Sequence, residues 1–166
     1  RDITEYSGLI SEVKINELSY LPQRLVPPPF MSVFEVVNTG FYSTNIDKQG
    51  KLLAVNELLE QCGIYNVRNK SFADISIGEQ QRAWLAFALA QSKDLILMDE
   101  PLSSIDLGSR QYFYKLLREA SHQGKTLFVV THDIDMAMRY SDSIVLIEDG
   151  KKIFQGDPSS FQRYHM

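Results

Sequence analysis

Apolar residues along the chain fall into two kinds of pattern. Short runs suited to buried strands stand at Leu18 to Leu21, Leu95 to Met98, Thr126 to Val130 and Ile144 to Ile147. Between the later runs lie segments of helical period. LGSRQYFYKLLREAS, residues 107–121, places Tyr112, Leu116 and Leu117 on one face, with Asp106 ahead of it as an N-cap. DIDMAMRYSD, residues 133–142, predicts another helix. Strand alternating with helix is the pattern of a parallel sheet with helical crossovers, so Ile144 to Ile147 is expected to join that sheet.

The middle of the chain differs. PPPF, residues 27–30, must be extended or turning, because proline has no N–H and restricts the residue before it. KLLAVNELLEQCGI then brings Leu52, Val55, Leu58, Leu59 and Cys62 near helical spacing, with Gly63 as the stop. DISIGEQQRAWLAFALAQ, residues 74–91, opens with Ser76 and Glu79 at capping-box spacing and continues through Trp84, Leu85 and Leu89. A helical insertion therefore divides an α/β core.

Composition adds exclusions. With 44% hydrophobic and 23% charged residues the chain can bury a core. Lys and Arg number 17 against 21 Asp and Glu, a net charge of -4, so nothing draws it to nucleic acid and no such partner is expected. Cys62 is the single cysteine, which excludes an internal disulfide and a multi-cysteine metal site and reads as a buried thiol. No apolar run approaches the roughly 18 to 20 residues that span a bilayer, and RDITEYSG lacks a signal-peptide pattern. At a membrane the protein would be held by another chain.

The stretch LILMDEPLSSID, residues 95–106, runs from an apolar strand into two adjacent carboxylates, Asp99 and Glu100. Ligands of open parallel sheets sit beyond the carboxyl ends of the strands, which is where this pair lies. Asp at such a site can hold magnesium, and Glu can orient a water against a phosphate; DEP as a plain strand end and turn is the alternative. The start of the 74–91 helix, with free N–H groups and Gly78, is a candidate anion site.

In order and spacing, SIGEQQR, LILMDEP, SSID and VVTHD resemble the nucleotide-binding domain of ATP-binding cassette (ABC) transporters, over Gln23 to about Gly156. The resemblance implies a P-loop NTPase-type α/β fold: a partial parallel sheet core with an inserted helical subdomain. Residues 1–26 would be the N-terminal part of the catalytic core with the Q-loop, 27–91 the helical subdomain ending in the signature helix, and 92–166 the RecA-like core. Ser76 to Gln80 correspond to the signature motif, so that Ser76, Gly78 and Glu79 would meet ATP across a dimer. Leu95 to Asp99 correspond to Walker B, with Asp99 a magnesium ligand, and Glu100 to the catalytic glutamate. Ser103 to Asp106 correspond to the D-loop, Asp106 serving as helix cap or as cross-dimer contact. His132 corresponds to the switch histidine, and Gln23 to the Q-loop glutamine, touching magnesium or the attacking water. ATP and Mg2+ are the implied cofactors, and a second nucleotide-binding domain, in a homodimer, is an implied partner.

The pattern breaks twice. No G-x-x-x-x-G-K-[ST] loop occurs; Gly124, Lys125 and Thr126 are preceded by Glu119 where the first glycine belongs and are followed by a strand. The expectation is that Arg1 is not the natural N-terminus and that this chain alone hydrolyses no ATP. Ile77 stands where the family usually has glycine, and a β-branched residue resists positive φ and adds bulk beside the phosphate site.

The short span from SGLISEV to KINELSYLPQ, and SVFEVVNTGFYS after Gln23, look like importer ATPases serving metal ions such as zinc and manganese, or chelates such as siderophores and cobalamin. The transmembrane permease would dock near Phe30 to Tyr42, with some of Phe30, Val33, Val36 and Val37 in the core and Phe41 and Tyr42 more open. The chain would then work as a peripheral protein on the cytoplasmic side of the membrane. The alternatives are a degenerate, non-hydrolysing cassette with a structural or regulatory role, and a soluble ABC ATPase unconnected with transport.

Overall fold

A computed structural model of the chain describes residues 17–102 and 106–165. The expectations for SGLISEV and for Ser103 to Ile105 lie outside these residues. Three parallel strands, β1 (Leu18–Leu21), β2 (Leu95–Asp99) and β3 (Thr126–Val130), pair in the order β1-β2-β3. Register sets Ser19 beside Ile96 and Leu21 beside Met98, and all four are buried. The opposite face carries Tyr20, Phe128 and Val130, each about half exposed.

Between β1 and β2 lie α1 (Val33–Gly40), α2 (Lys48–Gln61) and α3 (Ile77–Ala90), and α4 (Leu107–His122) crosses from β2 to β3. Ala83, Leu85, Ala86, Ala88 and Ala90 of α3 are buried against Val33, Val36 and Val37 of α1 and Val55 and Leu59 of α2 in one apolar cluster. Small residues let the α1 and α3 backbones approach: a Cβ on Gly40 would stand 2.6 Å from both the Ala90 Cβ and the Phe87 carbonyl oxygen. Trp84 fills the far side, its ring 4.7 Å from Phe72 and 5.8 Å from Phe87. The start of α1 is doubly secured. Ser32 and Glu35 form a reciprocal capping box, and the Val33 and Phe34 N–H groups donate to the Lys70 and Arg68 carbonyls.

Four expectations need correction. Ile144–Glu148 (β4) does not join the parallel sheet among the described residues; it pairs antiparallel with β5 (Lys151–Gly156). The Asp149–Gly150 turn, with φ of 48° and 72°, returns the chain at once and gives β4 its partner locally. Phe41 is buried at 4% exposure because α1 ends in a 3-10 turn that rotates it inward, while Phe30 and Tyr42 stand at 95% and 92%. Tyr112 leaves the buried face of α4, which Phe113, Tyr114, Leu116 and Leu117 form, and lies over the Arg82 guanidinium instead. Leu52 is half exposed, since Val55, Leu59 and Cys62 supply the inner face of α2. Burial also pushes the Cys62 thiol up to about 12, as an inert core residue requires.

α5 (Ile134–Tyr140) and α6 (Pro158–His165) complete the described chain, and α6 packs Phe161 on Phe154 of β5 with ring centroids 5.2 Å apart. Gly40→Ala is expected to destabilise the protein by about 1 to 3 kcal/mol, the range for an overpacked core, because backbone as well as side chain blocks the added methyl. Denaturant unfolding checks this; unchanged stability would mean that α1 and α3 do not meet at Gly40.

Candidate active site

Each strand of the parallel sheet delivers one polar residue just past its carboxyl end: Gln23 after β1, Glu100 after β2 and His132 after β3. They converge on a single carboxylate. Gln23 Nε2 donates to Glu100 Oε2 at 3.0 Å, and His132 Nδ1 lies 3.3 Å from Glu100 Oε1. The Glu100 N–H donates to the Val130 carbonyl at 2.9 Å, which extends the β2–β3 ladder by one residue. Its φ of 43° is the left-handed region, costly for a residue with a Cβ by about 1 to 3 kcal/mol, and it turns Glu100 away from the alternation of the strand. Asp99 keeps the strand geometry and pairs in register with Val130. Among the described residues no side chain bonds to Asp99.

The magnesium expectation can be tested on these donors. The Asp99 carboxylate and the Gln23 amide oxygen are hard oxygen ligands of the type Mg2+ takes, and Gln23 uses its nitrogen, not its oxygen, on Glu100. No group of three or more His, Cys, Asp or Glu side chains among the described residues could form a complete cage.

A second polar site lies at the start of α3. A cavity of about 330 Å3 is lined by Ser76, Ile77, Gly78, Glu79, Arg82, Asp106 and Ser109. Ser76 accepts the Glu79 N–H, and the Glu79 carboxylate takes back the Ser76 N–H at 2.9 Å and the Ser76 hydroxyl at 2.8 Å. Both polar side chains are thus engaged in the cap, which leaves the Ile77 and Gly78 N–H groups as the helix-start donors outside it, with Arg82 lining the same cavity. A Cβ on Gly78 would stand 3.4 Å from Ser109 Oγ, an ordinary contact, so packing within the chain does not demand glycine there. Ile77 is the first residue of α3 and is absent from the positive-φ residues, so the strain expected from it does not arise; its side chain, 55% exposed, adds bulk only. Asp106 caps α4 by accepting the Ser109 N–H at 3.0 Å, and from that position it also lines the cavity. Gly124, with φ of 94°, ends α4 where β3 begins, so Gly-Lys-Thr has no phosphate-loop geometry.

Residues 4–103 match the profile of the ABC transporter family. The chain belongs to that family. It is 34% identical over 149 residues to the achromobactin transport ATP-binding protein of Dickeya dadantii, covering 86% of this chain and 55% of that protein. It is 36% identical over 147 residues to the hemin import ATP-binding protein of Shewanella denitrificans, covering 85% and 58%. Among solved structures, cbiO1 of Clostridium perfringens, part of the ABC transporter complex cbiONQ, superposes with a TM-score of 0.79 at 24% identity, covering 90% of this chain and 61% of that one. This ABC chain thus spans about half the length of the curated relatives it matches. No helix among its described residues is long and apolar enough to cross a membrane.

The caps make a titration prediction. Glu79 is held below the ordinary carboxylate value of about 4.3 chiefly by the Ser76 N–H bond, which outweighs the opposing effect of burial and is helped by the Ser76 hydroxyl and by the charges of Arg82 and Lys70. Glu35 and Asp106 are lowered chiefly by backbone N–H bonds from Ser32 and Ser109, and Asp157 first by the Ser160 hydroxyl and then by the Ser160 N–H. A lowered folded value means stability that is present above the unfolded value and lost as pH falls through the folded one. The melting temperature is therefore expected to drop below about pH 4, and Glu79→Gln, which keeps an acceptor without the proton, should shrink that drop. Calorimetry from pH 7 to pH 3 reads it; identical acid limbs in both proteins would contradict the assignment.

Proposed function

We propose that this protein is the ATP-hydrolysing subunit of an ABC importer for a metal chelate or metal ion, and that Glu100, Gln23 and His132 form its reaction centre. The observation that carries the reading is the convergence of Gln23 and His132 on the two oxygens of Glu100. Relatives named for achromobactin and hemin transport support a chelate as cargo. Hemin is itself an iron chelate.

Chemically, an ionised Glu100 is an acceptor, suited to orient a water and take its proton. Gln23 fixes one carboxylate oxygen and so sets the direction of the other. His132 faces that second oxygen from the end of the neighbouring strand, where its ring can carry a proton or donate to a phosphate. Asp99 and the Gln23 oxygen would hold Mg2+, whose role when bound is to neutralise charge on the phosphates. Separating metal-holding Asp99 from water-orienting Glu100 explains the adjacent carboxylates: the left-handed backbone at Glu100 aims the two side chains differently. The α3 cavity, with its free N–H groups and Arg82, would close over the phosphates of ATP held by a second subunit, making the working unit a dimer.

Division into residues 1–26, 27–91 and 92–166 follows the same reading. Gln23 stands at the first junction, so the state of the centre would be felt by the helical part and by a permease subunit seated on the exposed Phe30 and Tyr42. The protein would then work at the cytoplasmic face of the membrane. Because the phosphate loop is not in this sequence, the test uses the full-length protein. Glu100→Gln is expected to lower ATP turnover by about 100-fold or more with ATP affinity nearly kept, the loss of a positioned base. Turnover that survives the substitution, or a wild type that binds ATP without hydrolysing it, would favour a non-hydrolysing cassette.

A further inference from the structure

The His132 side chain is 70% exposed, so its ring is not oriented by packing; the backbone of residues 131–133 must do so. That turn is gripped from α4. Thr131 Oγ1 accepts the Asp133 N–H at 3.0 Å and the Tyr114 hydroxyl at 3.4 Å. Asp133 divides its carboxylate: Oδ1 accepts the Met136 N–H at 3.1 Å and caps α5, while Oδ2 receives Arg110 Nη1 at 3.1 Å. Arg110 and Tyr114 are four residues apart and share one face of α4. The Tyr114 ring also stacks on Tyr140 of α5, 5.6 Å between centroids and 19° between planes. One turn of α4 therefore serves two places, since Asp106 and Ser109 line the cavity at the start of α3 while the next residue holds the His132 turn.

We propose that Arg110 is a positioning residue for the reaction: through Asp133 it keeps the His132 ring at Glu100. This rests on the ATPase reading above. The ion pair suits the task because both side chains are largely shielded, 34% and 17% exposed, so it is less screened than a pair in open solvent. Release of Asp133 leaves its cap on α5 and the Thr131 bonds in place but removes the charged tie that Asp133 makes to α4. A displacement of the ring by about 1 Å is enough to cost up to about 100-fold in rate.

The test uses the full-length protein with Arg110→Gln, Arg110→Lys and Asp133→Asn, asparagine being a cap as good as aspartate. Arg110→Gln and Asp133→Asn are each expected to lower kcat about tenfold with the KM for ATP within about twofold, as loss of orientation without loss of binding requires. The double variant should be no slower than either single one, Arg110→Lys should retain most turnover, and Arg110→Gln should add nothing to His132→Ala. An unchanged kcat in Arg110→Gln, or losses that multiply with His132→Ala, would overturn the proposal. If the wild type itself hydrolyses no ATP, the ATPase reading fails, and positioning is read from crystal structures of wild type and Arg110→Gln. A His132–Glu100 contact opened from 3.3 Å to beyond hydrogen-bonding reach in the variant supports it, and an unmoved contact overturns it.

Discussion

The carboxylate of Glu100 is where the strands of the parallel sheet meet in a single contact. Parallel pairing in the order β1-β2-β3 brings three carboxyl ends to one edge, and the residues that follow them are an amide, a carboxylate and an imidazole. Antiparallel pairing of any neighbour would have sent one of the three to the opposite edge. The left-handed backbone at Glu100 is the local cost of this arrangement, and the bonds from Gln23, His132 and the Val130 carbonyl surround it. Strain held by so many partners at a polar edge is the kind that persists where geometry serves chemistry.

From that edge the structure divides the work between two helices. α3 presents its N-terminus, with Ser76 and Glu79 satisfying each other and the Ile77 and Gly78 N–H groups left outside the cap. α4 presents Asp106 to the same cavity, and with Arg110 and Tyr114 it holds the His132 turn. The acidic pair thus never stands alone as a charge cluster. Glu100 meets Gln23 and His132, while Arg110 pairs with Asp133.

Much of this was legible in the residues. The three parallel strands and the helices at 48–61, 77–90 and 107–122 follow from apolar runs, the S-x-x-E pair at Ser76 and an Asp cap at Asp106, because each is a local signal that tertiary packing then reinforced. The same capping-box spacing at Ser32 and Glu35 marks the start of α1, and Asp149–Gly150 marks a hairpin that gives β4 a local antiparallel partner; both signals were open to view. Other features were not legible. The inward turn of Phe41 depends on a 3-10 ending, the outward turn of Tyr112 on the position of Arg82, and the φ of Glu100 on contacts with residues far away in the chain. Strain expected at Ile77 was a misreading of position: the first residue of a helix needs helical dihedrals, which a β-branched side chain accepts.

The most direct measurement is a high-resolution crystal structure of the full-length protein, read at Glu100. The account predicts a positive φ at this residue, with one carboxylate oxygen near 3.0 Å from Gln23 Nε2 and the other near 3.3 Å from His132 Nδ1. A Glu100 in ordinary strand geometry, its carboxylate turned from both partners, would contradict it.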